Sequence, residues 1–217
     1  MVDLLARTAL QGLAQPGRFG AAGSRPGLIV EERTDLALAS VIARRDRQLD
    51  LKDAIGNAFG IELPDGPRVV ANGGVSFAGI GLNRWFAAAE NSADTDFVAR
   101  LQDRLTGLAS IADQTDGRVV LRLRGNRVRD VLAKGVPLDL HHRSFKTGDI
   151  ASTLVAYIGV QIEQLDDAPT FQLMAFRSLA GSLWSWLAKS AAEFGYEVQT
   201  SNSRPAAMFH DRHPVRS

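Results

Sequence analysis

The stretch Arg118-Val119-Val120-Leu121-Arg122-Leu123-Arg124-Gly125-Asn126-Arg127-Val128-Arg129-Asp130-Val131-Leu132-Ala133-Lys134-Gly135 decides the fold class. Val119, Leu121 and Leu123 alternate with Arg118, Val120, Arg122 and Arg124, the period-two signature of a half-buried strand, here with a cationic outer face. Gly125 and Asn126 break that strand. Val128, Val131 and Leu132 then share one helical stripe, which Gly135 stops. Beyond it the pattern predicts strands over 152–163 and 170–177, a long helix over 178–194 and a last strand over 196–200. The second half therefore reads β-α-β-β-α-β.

The first half repeats that order. A strand over 28–41 leads to a helix over 51–59, whose Leu51, Ala54, Ile55 and Ala58 fall at i, i+3, i+4 and i+7 and which Gly60 ends. Strands over 68–77 and 84–90, joined by a Gly-rich turn at 78–83, precede a helix over 95–105 with Phe97, Val98, Leu101 and Leu105 on one face. A strand over 108–113 closes the unit. The fold class is α+β, a duplicated ferredoxin-like arrangement. The chain divides into an extended N-terminal arm (1–27), a first unit (28–113), a second unit (114–203) and a flexible C-terminal tail (204–217). Five glycines and two prolines between Gly12 and Gly27 keep the arm from forming helix or strand alone, so it orders against a partner or stays loose.

Composition narrows the function. Of 217 residues, 45% are hydrophobic, enough for a packed core, and the formal net charge of +1 without a basic run excludes a nucleic-acid binder. There is no cysteine, which removes thiolate metal sites, disulfides and cysteine nucleophiles. No apolar run approaches the roughly 20 residues of a membrane helix; Asp3 stands where a secretory signal would be basic, and Arg7 and Gln11 break the apolar stretch that would follow; a soluble, cytoplasmic protein is expected. Only Lys52, Lys134, Lys146 and Lys189 are lysines among 25 basic residues. That arginine excess suits either desolvated interfaces or a GC-rich genome.

Catalytic signatures are missing. No G-x-G-x-x-G follows a strand, and there is no Walker loop, H-E-x-x-H or G-x-S-x-G elbow; Gly79–Gly81 lies between two strands and reads as a hairpin. His210 and His213 have ligand spacing, but Pro214 argues against the ordered helix a metal site there would need. His141 and His142 sit in a loop without a positioned partner, and Asp113 and Asp116 flank a turn at Gly117. The candidates that remain are contact residues. Arg122, Arg124, Arg127 and Arg129 gather at one edge of the second unit, Trp184 and Trp186 occupy opposite margins of the long helix's stripe, and Arg18 lies in the arm.

Three groups of residues carry a resemblance. They are Asp113-Gln114-Thr115-Asp116-Gly117-Arg118 with Leu123 to Gly135 and Leu138-Asp139-Leu140-His141; Phe176-Arg177-Ser178-Leu179-Ala180 through Trp184-Ser185-Trp186 to Phe194-Gly195; and Pro16-Gly17-Arg18-Phe19-Gly20, Ala58 to Pro64 and Phe77 to Gly81 before Trp85. Together they resemble the gamma subunits of heterotetrameric sarcosine oxidases over nearly the whole chain. The resemblance implies a folate-binding aminomethyltransferase-like (T-protein) fold and a chain that supplies no catalytic residues and binds no cofactor or metal. Its partners would be alpha, beta and delta subunits, and FAD, FMN, NAD, tetrahydrofolate and zinc would be held on those. The implied complex oxidises sarcosine to glycine, passing the one-carbon unit to tetrahydrofolate or releasing formaldehyde, and forms hydrogen peroxide. Two other readings stand beside it: a free-standing folate-dependent aminomethyltransferase-like protein, and the gamma subunit of a related N-methyl amino acid dehydrogenase.

Overall fold

The structure is a computed structural model and describes residues 7–23, 25–90 and 96–200. The elements run β1 (Gly17–Phe19), β2 (Leu28–Glu32), β3 (Leu36–Ala43), α1 (Gln48–Phe59), β4 (Val69–Asn72), β5 (Val75–Gly81), β6 (Arg84–Glu90), α2 (Phe97–Arg104) and β7 (Ala109–Asp113). The second half continues with β8 (Arg118–Arg124), α3 (Val128–Ala133), β9 (Ile150–Val155), β10 (Ile158–Asp166), β11 (Thr170–Phe176), α4 (Ala180–Ala191) and β12 (Tyr196–Gln199). The tail from Arg204 on, with His210 and His213, lies outside the described residues.

Three single strands expected from the sequence are each two strands. Residues 28–41 split at 33–35 because β2 and β3 join different sheets. Residues 68–77 turn back at Gly73 and Gly74, both at positive φ, the backbone that a two-residue hairpin matching strand twist requires. The Gly-rich stretch after Phe77 is then strand up to Gly81, and the chain turns at Leu82-Asn83, where Asn83 has a φ of 57°. Residues 152–163 turn at Ala156 and Tyr157, again at positive φ, though neither residue favours it. The long helix is shorter than its apolar stripe: α4 is flanked by 3-10 turns at Arg177–Leu179 and Ala192–Phe194. The arm is partly ordered, since β1 pairs with β12.

The five-stranded sheet has the order β4-β5-β6-β3-β7 and is antiparallel throughout. Without the edge strand β4, this is the ferredoxin-like order, with α1 and α2 on one face. Leu51 and Ile55 of α1 and Phe97 and Leu101 of α2 are fully buried there against Ala39, Val41, Phe77 and Ala87. Gly60 ends α1 at a φ of 64°, its N–H donating to the Gly56 carbonyl at 2.9 Å.

The seven-stranded sheet, β1-β12-β2-β8-β11-β10-β9, repeats the scheme with one intrusion. In a ferredoxin-like unit the first and last strands are neighbours; here β2 lies between β8 and β12, antiparallel to the former and parallel to the latter. Gly125 makes the fit possible. It has a φ of +128°, and a Cβ there would lie 2.4 Å from the Gly27 carbonyl oxygen, at the point where the chain enters β2. Helices α3 and α4 cover this sheet's outer face, burying Val119, Leu121, Leu123, Val128, Val131, Leu132, Leu183 and Leu187 in one cluster.

The two helix-free faces pack on each other. Leu36 and Leu38 of β3, Ala78, Phe86, Val120, Ile150 and Met174 form the apolar part of this seam, giving a helix–sheet–sheet–helix stack. Its remainder is charged. Arg33, 8% exposed, makes a bidentate pair with Asp35 at 2.6 and 2.9 Å and reaches Glu90 at 3.3 Å; Glu90 also sits 3.7 Å from Arg122. Glu163, on the same sheet face, makes no ion pair among the described residues. Burial first, and the Glu90 charge second, push its carboxyl up to about 7.

Two outcomes are expected. Gly125→Ala should cost about 3 kcal/mol of unfolding free energy, because strain at positive φ adds to a backbone clash; an unchanged denaturation midpoint would show that β2 can reseat. For Glu163 the unfolded carboxyl ionises near 4.5 while the folded one holds its proton to about 7. Folding therefore takes up a proton between these values, and stability declines as pH rises through that window. Glu163→Gln should remove the decline, so that the variant gains on the wild type by about 3 kcal/mol between pH 4.5 and 8. Parallel stability profiles in urea titrations would refute the assignment.

Candidate functional site

The cationic face of β8, expected to be the outer one, is turned toward the other sheet. The reason is burial: Val119, Leu121 and Leu123 go under the helices, so Arg118, Val120, Arg122 and Arg124 must take the inter-sheet side. Arg118 lies between two rings, its guanidinium carbon 5.0 Å from the centre of Phe86 and 3.9 Å from that of Phe176. Its Nε donates to Gln114 Oε1 at 3.2 Å, and neither Nη has a hydrogen-bond partner among the described residues. Burial holds this guanidinium below the ordinary arginine range. Arg122 faces Glu90, with its Nε buried and unbonded, and Arg124 donates to Gln199 Oε1.

The other candidates divide by exposure. Arg129 is tied inside the chain, donating to the Leu140 carbonyl at 2.7 Å and to Gln164 Oε1 at 3.1 Å across the Phe171 ring. Trp186 is half-buried over Gly135, where a Cβ would meet its indole at 2.7 Å. Trp184 stands edge-on to Tyr196 at 6.1 Å and packs against the second unit's core. Arg127 and Arg18 face solvent. Arg127 keeps half its side chain exposed while pairing with Asp130 at 3.1 Å and stacking on Phe194 at 4.6 Å. Arg18 is more exposed still and pairs with Glu197 at 2.8 Å. Phe19 beside it is stacked on Tyr196 at 5.4 Å and remains 41% exposed. The arm thus brings Arg18 and Phe19 to the β12 edge of the seven-stranded sheet, and Arg127 stands beside the arm's end at Gly27.

The histidine loop is a hydrogen-bonded turn. The rings of His141 and His142 lie 4.1 Å apart. Asp139 organises the turn, accepting from Ser144 Oγ and from the His141 N–H, which holds its carboxyl below the usual range. Among the described residues no group of three or more His, Cys, Asp or Glu could hold a metal ion. No helix of the described residues is long and apolar enough to cross a membrane. Asp113 caps its turn, accepting from the Thr115 N–H at 2.8 Å.

Sequence reasoning missed what lies between the sheets. A cavity of about 350 Å³ opens beside the β2–β3 crossing, lined by Arg7, Arg33, Arg118 and Arg177 and by Leu36, Leu38 and Val120. These residues come from four separate segments, and no local spacing announces them. The one available signal was Arg118, the first cation of the strand's arginine-bearing face.

The comparisons with known proteins agree with this architecture. The model of the sarcosine oxidase, gamma subunit family matches residues 47–193, more than half of the chain. No curated protein sequence matches. Among solved structures, a chain of the heterotetrameric sarcosine oxidase from Corynebacterium sp. U-96, in complex with pyrrole 2-carboxylate, is similar at a TM-score of 0.74 and 23% identity, over 87% of this chain and 96% of that one. The glycine cleavage system aminomethyltransferase T from Bartonella henselae is similar at a TM-score of 0.59 and 15% identity; this chain covers 48% of it. Both likenesses show the fold, the expected duplicated, aminomethyltransferase-like one. The family match runs from the start of α1 into the turn after α4 and so reaches both units: the chain belongs to the sarcosine oxidase, gamma subunit family.

Proposed function

We propose that the chain works as a non-catalytic subunit in a heterotetrameric sarcosine oxidase, docking against alpha, beta and delta subunits and helping to hold them together. The observation that carries this reading is the family match across both units. Similarity over nearly the full length of a chain from a heterotetrameric enzyme supports it. On this reading FAD, FMN, NAD, tetrahydrofolate and zinc are held by the other subunits, and the complex converts sarcosine to glycine with release of hydrogen peroxide. The chain's part is to present a rigid surface.

The end of the seven-stranded sheet suits such a surface. Arg18, Phe19 and Arg127 combine exposed guanidinium groups with an aromatic ring, the residue types that dominate protein interfaces. Their present ion pairs are solvent-exposed and worth about 0–1 kcal/mol each, so little is lost in exchanging them for a partner's carboxylates.

Co-expression with the candidate alpha, beta and delta chains tests the proposal. The chain should co-purify with them, and the complex should form peroxide from sarcosine; full assembly and activity without it would overturn the assignment. Arg18→Gln combined with Arg127→Gln should leave the isolated chain folded by circular dichroism yet weaken its capture by the partners about tenfold or more. Capture that is unchanged at both low and high salt would place the contact elsewhere.

A further inference from the structure

The cavity at the β2–β3 crossing contains more positive charge than its own carboxylates neutralise. Arg33 is satisfied by Asp35 and Glu90 except at Nη1, which is buried without a hydrogen-bond partner. Glu32, another lining residue, is occupied by the backbone: its carboxylate accepts from the N–H groups of Ala9 and Leu10. Asp116 lies exposed at the rim. Neither Arg118 nor Arg177 has a carboxylate within ion-pair distance among the described residues. Arg177 spends one donor on the Arg7 carbonyl.

Taking guanidinium groups out of water without a counter-charge is unfavourable, and a protein usually resolves it with a carboxylate of its own. Here the chain has done something else. Phe86 and Phe176 both lie against the Arg118 guanidinium and Gln114 accepts from its Nε, contacts that leave the two Nη groups for a ligand. A guanidinium edge of this kind matches a planar carboxylate, which accepts two parallel N–H bonds, better than a tetrahedral anion. The remaining wall, Leu36, Leu38 and Val120, is apolar and suits a hydrocarbon body. A volume of about 350 Å³ is within the range of small-molecule sites.

We propose that this inter-sheet cavity is a binding site for a small organic carboxylate, with Arg118 and Arg177 as its charged contacts and the β3–β8 apolar wall against its carbon skeleton. The site belongs to this chain alone and does not depend on the identity of the partner subunits.

Calorimetric titration of the full-length chain with benzoate, and separately with inorganic phosphate, tests it. Saturable one-to-one binding of benzoate is expected, about tenfold or more tighter than phosphate, since only benzoate gains from the apolar wall. Arg118→Gln should weaken benzoate about tenfold or more, the scale of losing one charge-assisted pair. Arg177→Gln should shift it the same way and gives a second readout should Arg118→Gln unfold. Lys52→Gln, in the first unit and outside the cavity, should bind as the wild type does. Absence of saturable binding, wild-type affinity in both cavity variants, or phosphate binding as tightly as benzoate would each overturn the proposal.

Discussion

The insertion of β2 between β8 and β12 is the constraint on which the rest of the molecule depends. Five residues, Leu28–Glu32, close the second unit's sheet, yet the chain then crosses to the first unit within three residues. Neither sheet can shift relative to the other without pulling β2 from two ladders at once. The entry to β2 is fixed by Gly125 against Gly27, and its exit by the Arg33 N–H donating to the Val120 carbonyl at 2.9 Å. Two ferredoxin-like units that could have been beads on a string are thereby one body.

That geometry explains why charge is buried in the seam. A crossing point has no regular ladder to satisfy it, and Arg33 takes up the role, bridging Asp35 just after the crossing to Glu90 at the far end of β6. A buried ion network of this kind contributes little net stability compared with apolar packing, but it discriminates sharply between registers, because any slip leaves charges unpaired. Glu163 lies outside the pairing and resolves its burial by keeping a proton.

Much of this was legible in the sequence. β8 was read with its observed bounds, since alternation over seven residues is a strong signal, and the two β-α-β-β-α-β passes follow from periodicity and glycine stops. The hairpins were only partly readable. Asn72-Gly73-Gly74 is a turn signal that a strand reading over 68–77 overlooked, whereas Ala156-Tyr157 carries none: neither residue favours positive φ, and strand pairing imposes it. The pairing of β2 with the second half was beyond local pattern, since Leu28-Ile29-Val30 fits either sheet. The same holds for the direction of the β8 arginines. Alternation separates two faces, but only tertiary packing decides which of them meets solvent.

The arginine excess gains a different meaning once the side chains are placed. Interface demand and genome composition were the two accounts available from the sequence, yet several of these arginines act within the chain. Arg33 makes a bidentate pair, Arg118 is held between two rings, Arg127 stacks on Phe194 and Arg129 crosses Phe171 while donating twice. Each use needs a planar, delocalised cation with several fixed donors; the single ammonium of lysine meets none of them equally well. Two stacked sheets whose facing sides are only half apolar need such groups, because a side chain that offers both a flat face and hydrogen bonds at its edge can fill a seam that neither leucine nor lysine would. The cationic strand thus serves first to join the two units, whereas Arg127 just after it and Arg18 on β1 keep half or more of their side chains exposed.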